Sequence, residues 1–212
     1  MDDRSAAKHA SPSLGSRVFE AVREAEKFFM GTDAVHAALE KLIGLLAALR
    51  IPYALVGAMA LNEYGYRRVT VDVDILLTRE GLDAFKRAHL DRGYIDKFPG
   101  SRGMRDTEHG VDVDVLLAGE YPGDGKPKPV AFPDPATAAV EGPRVHLLPL
   151  PKLLELKLAS GLSAPHRLRD LADVLEVIRV QRLPETFAGE LDPSVREKFR
   201  ELWQAAQHTD EE

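Results

Sequence analysis

Apolar and polar residues alternate along this chain with two different periods. Between residues 16 and 29, and again from 33 to 50, apolar side chains return at helical spacing, as in Leu39, Leu42, Ile43, Leu46 and Leu49, and this predicts two amphipathic helices. Gly31 and Thr32-Asp33 supply a stop and a cap between them. Tyr53 to Val56 follows Pro52 as a short apolar run, expected to be a buried strand that turns at Gly57-Ala58 into a short helix over Met59 to Tyr64. The period then becomes two from Val71 to Leu77, helical from Glu80 to Arg92, and two again from Val111 to Leu117, whose partner strand is expected among residues 102 to 108.

Glycines and prolines crowd residues 119 to 135 and predict a long surface loop. A strand near Arg144 to Leu148 is expected next, and then helices over Lys152 to Ser160, His166 to Val180 and Pro193 to Gln207. The expected organisation is a loosely ordered segment 1–15, an α+β core over 16–150 with a mixed sheet flanked by helices, a helical part over 151–208 packed on that core, and an acidic tail at 209–212.

Composition narrows the classes. The chain has 212 residues, 44% of them hydrophobic, and a formal charge of −6, which excludes both a cationic nucleic-acid coat and an acidic disordered chain. It has no cysteine, so disulfides, zinc-thiolate centres and cysteine nucleophiles are excluded, and a reducing compartment is favoured. No segment approaches the roughly 18 apolar residues of a membrane helix and no secretory signal is seen; a soluble cytoplasmic protein without a membrane partner is expected. The histidines are scattered with no i, i+4 pair and suggest neither a metal centre nor a triad.

The candidate chemistry lies in a near duplication. Val71-Asp72-Val73-Asp74-Ile75-Leu76-Leu77 and Val111-Asp112-Val113-Asp114-Val115-Leu116-Leu117 differ at one position in seven. In a strand, Asp72 and Asp74 share one face and Val71, Val73 and Ile75 the other, with the carboxylates about 6–7 Å apart, a spacing that suits divalent cations. A half-exposed strand with an acidic polar face is the plainer alternative. However, aspartate is depleted in strands and like charges on one face repel, so two such strands need a compensating cation or arginines. An EF-hand is excluded, because paired leucines stand where that loop needs oxygen ligands and a glycine. Upstream, the turn at Gly57-Ala58 would present free backbone N–H groups to a phosphate. Lys157 falls on an otherwise apolar helix face with Leu150, Leu153, Leu154 and Leu158; it needs an anionic partner if it points inward, or else snorkels outward.

Val56-Gly57-Ala58 followed by Arg68-Val69-Thr70-Val71-Asp72-Val73-Asp74 resembles the signature of the DNA-polymerase-beta-like nucleotidyltransferase superfamily, an hG[GS] turn and a D-h-D strand. The form R-x-T-x-D-x-D is most similar to the AbiEii/AbiGii-like branch, the toxins of abortive-infection and type IV toxin–antitoxin systems. Leu154 to Ser160 and Arg167-Leu168-Arg169-Asp170-Leu171-Ala172-Asp173 resemble that branch's lysine helix and its R-x-x-D-x-x-D helix. The resemblance implies a nucleotidyltransferase-like fold in which Asp72, Asp74 and Asp114 are catalytic metal ligands, with Asp112 as the rival for the third place. It implies Mg²⁺ or Mn²⁺ as cofactor and an NTP as substrate. Gly57, Ala58, Arg68, Thr70 and Lys157 would be nucleotide-binding, with Asp170 and Asp173 behind them. Ala58 departs from the signature, since many members carry a serine or glycine there.

The implied activity is transfer of an NMP from an NTP to an acceptor hydroxyl. A toxin-like enzyme acting on an RNA end, in particular tRNA, is favoured by the branch and by residues 142–182, where seven Arg or Lys face four Asp or Glu. A cognate antitoxin encoded nearby is the partner this implies. The alternatives are a protein or small-molecule acceptor, of AMPylating or aminoglycoside type, and a nucleotide-binding module without turnover.

Overall fold

The computed structural model describes residues 14–29 and 33–208. Helix α1 (Leu14–Phe29) precedes α2 (Ala34–Ala48), which Asp33 caps by accepting the backbone N–H of His36 at 2.9 Å. Gly31 and Thr32, the expected stop and part of the expected cap, lie outside the described residues, as do the first thirteen residues and the acidic tail.

Strand β1 (Ala54–Leu55) runs into α3 (Gly57–Glu63), then come β2 (Asp72–Leu77) and α4 (Arg79–His89). Thr78 caps α4 by accepting the N–H of Gly81. A hairpin of β3 (Tyr94–Asp96) and β4 (Met104–Asp106) leads into β5 (Asp112–Leu117). The proline- and glycine-rich stretch is irregular until the short α5 (Pro135–Ala138), and it is followed by β6 (Val140–Glu141) and β7 (His146–Leu147). Helices α6 (Leu150–Ser163), α7 (Leu168–Gln181) and α8 (Arg196–Gln207) complete the chain.

The strands form one mixed sheet in the order β3-β4-β5-β2-β1-β7-β6. Its centre is the pair β2 and β5, parallel and in register from Asp72 opposite Asp112 to Leu77 opposite Leu117. The crossover between these two strands contains α4 and the β3–β4 hairpin. On one face Val73, Ile75, Val113 and Val115 are buried and join the apolar core with Leu42 and Leu46 of α2. Burying each such leucine contributes about 2 kcal/mol. The expected partner of β5 is β4, whereas β3 and β6 carry too short an alternation to stand out in the sequence.

Val71 departs from its expected place. It precedes the strand and is 78% exposed, because the sheet begins only at Asp72. Its apolar side chain therefore adds nothing to the face it was expected to share with Val73 and Ile75.

The helical last third joins the same apolar cluster through Val174, Val177, Ile178 and Phe199. The indole N–H of Trp203 donates to the carbonyl of Leu183 at 2.9 Å, so this aromatic residue has a packing role.

Candidate active site

The in-register pairing of β2 with β5 stacks the two acidic repeats side by side, with Asp72 beside Asp112 and Asp74 beside Asp114. All four side chains share the face opposite the core, since their apolar neighbours alternate inward. Each carboxylate has a different environment. The hydroxyl of Thr70 donates to Asp72. Asp112 accepts from Arg105 at 2.8 Å and lies 3.2 Å from the ammonium of Lys97. Asp114 accepts from Lys97 at 2.9 Å.

Asp74 makes no side-chain hydrogen bond or ion pair among the described residues. Burial pushes its carboxyl up to about 6, and the charges of Asp72 and Asp114 push the same way, against a weaker pull from Lys157 and Arg68. For Asp112, burial also works upward, but Lys97 and Arg105 outweigh it and hold the carboxyl below its ordinary value.

Asp74 borders a cleft of about 280 Å³ together with Gly57, Ala58, Arg68, Lys157 and Asp173. Gly57 has φ +63°, and a Cβ there would fall 1.9 Å from Oδ2 of Asp74. The turn is therefore glycine for two reasons: the backbone is left-handed, and the carboxylate fills the space of a side chain. Helix α3 begins at this glycine, and no side chain caps it, so its first N–H groups are free of side-chain acceptors.

The far wall of the cleft comes from α6 and α7. Lys157 does point inward, and its ammonium bonds Asp173 at 2.7 Å and Asp170 at 3.0 Å. Arg68 reaches Asp173 at 2.9 Å, and its backbone is held by the amide of Asn62. The Nε of Arg68 is buried without a partner. Asp170 also accepts from the hydroxyl of Ser160 at 2.7 Å; burial raises its pKa, but Lys157 and Ser160 hold it below the usual carboxylate range.

Of the expected site residues, Gly57, Ala58, Arg68, Asp74, Lys157, Asp170 and Asp173 line the cleft, whereas Asp72, Asp112 and Asp114 do not. Asp72, Asp74, Asp112 and Asp114 lie on the strands, and Arg68, Lys157, Asp170 and Asp173 form an ion-pair network opposite. Thr70 does not line the cleft, and its hydroxyl donates to Asp72. Lys97 was missed, because nothing in its local sequence shows that a hairpin will bring it onto β5. Arg102, Arg167 and Arg169 also line the cleft. Arg102 pairs with Glu120 and Arg167 with Asp170, whereas Arg169 has no ion pair among the described residues. The motif around Asp170 contains Arg167 and Arg169, and their positions beside Asp170 were an available signal.

A second group of potential metal-binding side chains is Asp106, Glu108 and His109. It was not expected from the scattered histidines. Its centre is already filled by a cation: Lys41 lies 2.6 Å from Asp106 and 2.9 Å from Glu108, and Nδ1 of His109 lies 2.6 Å from the other Asp106 oxygen. Asp106 is 0% exposed and also accepts the backbone N–H groups of Glu108 and His109. This is a satisfied buried ion pair rather than an open cation site.

The donor set on β2 and β5 suits a hard divalent ion: carboxylate oxygens on neighbouring strands, one of them half-buried and without an ion pair among the described residues. Asp72, Asp74 and Asp114 could hold such an ion. Among the described residues, no helix is long and apolar enough to cross a membrane.

No protein-family model matches the chain, and no curated protein matches it. Solved structures similar to it include ANT(2'')-Ia in complex with adenylyl-2''-tobramycin, with TM-score 0.48 and 10% identity over 81% of this chain and 97% of that one. The solution structure of the antibiotic-resistance factor ANT(2'')-Ia is similar with TM-score 0.48 and 13% identity, covering 80% and 93%. A protein from H. pylori named as a nucleotidyltransferase is similar with TM-score 0.43 and 16% identity, covering 79% and 91%.

Proposed function

We propose that the chain is a metal-dependent nucleotidyltransferase that moves an NMP from an NTP to an acceptor hydroxyl, with pyrophosphate leaving. The observation that carries this reading is the parallel register of β2 and β5, which sets the half-buried Asp74, with no ion pair of its own among the described residues, beside Asp114 at the edge of a cleft opened by Gly57. A plain acidic strand would leave each carboxylate to water or to a neighbouring cation; Asp74 is instead half-buried at the cleft wall with no hydrogen bond or ion pair to its side chain among the described residues, which fits a ligand role.

In this reading Asp72, Asp74 and Asp114 hold Mg²⁺ or Mn²⁺, and Thr70 fixes the orientation of Asp72. The bound ion would supply charge neutralisation at the triphosphate and lower the pKa of the attacking hydroxyl. Asp114 is preferred over Asp112 as the third carboxylate, because Asp112 is committed to Arg105 as well as Lys97, and because Asp114 is the register neighbour of Asp74. The free N–H groups at Gly57 and Ala58 orient the phosphates; the methyl of Ala58 adds no hydroxyl contact, so the backbone does this alone. Arg68 and Lys157, held by Asp173 and Asp170, contribute positive charge on the opposite wall, where charge develops on the leaving group.

The acceptor in this proposal is an RNA end, in particular tRNA. Its support is the arginine-rich rim of Arg102, Arg167 and Arg169, the last with no ion pair among the described residues, which suits a polyphosphate chain. A small antitoxin encoded beside this chain is the partner that a toxin role requires. The test is incubation of the purified protein with Mg²⁺ and each labelled NTP in the presence of total tRNA. Label on tRNA that disappears in Asp74→Asn is the expected result. Label on an aminoglycoside or on protein would keep the chemistry and overturn the RNA acceptor, whereas NTP binding without release of pyrophosphate toward any acceptor would overturn the enzyme.

A further inference from the structure

The acidic face of β5 already carries a cation from this chain. Lys97 follows β3 at the start of the hairpin loop, and its ammonium lies 2.9 Å from Asp114 and 3.2 Å from Asp112. The loop is built around that contact. The Lys97 backbone N–H donates to the carbonyl of Gly103 at 3.3 Å, and a Cβ on Gly103 would come 2.9 Å from the Lys97 stem and 3.2 Å from Oδ1 of Asp114. Glycine at 103 thus leaves room for the lysine to lie across the strand. The base of the loop is tied to α4, where Lys86 bonds Asp96 at 2.6 Å and also donates to the carbonyl of Ser101. Arg105 supplies a second positive charge to Asp112 alone. The two carboxylates of β5 are therefore neutralised from within, while Asp74 on β2 is not.

We propose that Lys97 is a tethered cation that competes with the divalent metal for Asp114, so that metal binds first at Asp72 and Asp74 and recruits Asp114 only as Lys97 withdraws. The inference rests on the metal-ligand reading of Asp74 given above. An ammonium within hydrogen-bond distance of an oxygen occupies the place a metal would take, and its charge repels a divalent ion nearby. The contact is partly exposed, with Lys97 at 29% and Asp114 at 46%, so it can be broken at modest cost. This geometry makes the β3–β4 hairpin the element that sets how tightly the third carboxylate takes part.

The test measures Mn²⁺ binding to the full chain by calorimetry and by electron paramagnetic resonance, in the native protein and in Lys97→Met, Lys97→Arg and Asp74→Asn, with circular dichroism to confirm folding. Lys97→Met should bind Mn²⁺ about five- to tenfold more tightly, while Lys97→Arg, which keeps the charge, should stay within about twofold of native. In the native protein, acetylation of Lys97 by acetic anhydride, read by mass spectrometry, should increase when Mn²⁺ is added. Mn²⁺ binding that is lost in Asp74→Asn but is unchanged in Lys97→Met, with no change in Lys97 labelling, overturns the tethered-cation proposal and leaves the metal site standing. Mn²⁺ binding that does not depend on Asp74, or no Mn²⁺ binding in any variant, overturns both.

Discussion

Gly57 and Asp74 share one space: the position that a Cβ would take at Gly57 lies 1.9 Å from Oδ2 of Asp74, at a backbone φ of +63°. The turn before α3 and the second aspartate of β2 are therefore fitted to each other, and the backbone N–H of Val56 donating to the Asp74 carbonyl at 3.1 Å joins the same two segments. Replacement of Gly57 by alanine must both adopt a left-handed backbone, at about 1 kcal/mol, and move the carboxylate. The variant is expected to lose on the order of 2–4 kcal/mol in urea denaturation and to bind Mn²⁺ at least about tenfold more weakly.

The Asp74 carboxyl gives a pH signature. Its folded value of about 6 lies above the ordinary aspartate value of 3.8, so the folded state binds the proton more tightly than the unfolded state. Stability from this group is full below about 3.8 and is lost as the pH rises through about 6. Asp74→Asn carries no such charge. Its unfolding free energy relative to the native protein should therefore increase from pH 4 to pH 7 by on the order of 2–3 kcal/mol and then level off. Thermal melts of the two proteins in metal-free buffer across that range check this, and added Mn²⁺ should shrink the difference by binding the native carboxylate.

The network on the opposite wall is expected to behave as a unit. Asp173, whose side chain is 3% exposed, holds both Lys157 and Arg68. Asp173→Ala leaves the Arg68 guanidinium without its carboxylate and Lys157 with only Asp170, and should cost about 3–5 kcal/mol. Lys157→Met in that background should recover part of the loss, because one of the stranded charges is gone. A double-mutant cycle in urea measures the coupling, and an additive result would refute the shared network.

Lys41 serves a structural role at Asp106, on β4 next to β5. Burial opposes the charge of Asp106, yet Lys41 and His109 outweigh it and hold the carboxyl below its ordinary value. Lys41→Met leaves that fully buried carboxylate without its ammonium and is expected to destabilise the fold by about 3 kcal/mol or more. The loss should be largest near neutral pH and smaller in acid, where protonation of Asp106 removes the stranded charge. The variant should also show no change in Mn²⁺ binding at Asp74, which separates the two acidic clusters.

The sequence by itself determined the elements and the chemistry they could carry. Period-two alternation in two near-identical segments defined β2 and β5 and put each pair of aspartates on one face, because side-chain direction in a strand follows from local backbone geometry. The helix periods, the cap at Asp33 and the proline-rich loop were local in the same way. Lys157 stood out by interrupting an apolar helix face, but whether it turned inward or snorkelled outward depended on the carboxylates that α7 brings to it.

What only the tertiary structure decided is which charges meet. The parallel register that sets Asp74 against Asp114 depends on the crossover through α4 and the hairpin, and no property of either strand alone fixes it. Lys97 and Lys41 find their carboxylates through the packing of the hairpin and of α2, from segments whose own sequences carry no sign of the partner. Long-range electrostatics depends on distances set by packing, and it leaves Asp74 alone among the four strand aspartates without a side-chain hydrogen bond or ion pair among the described residues.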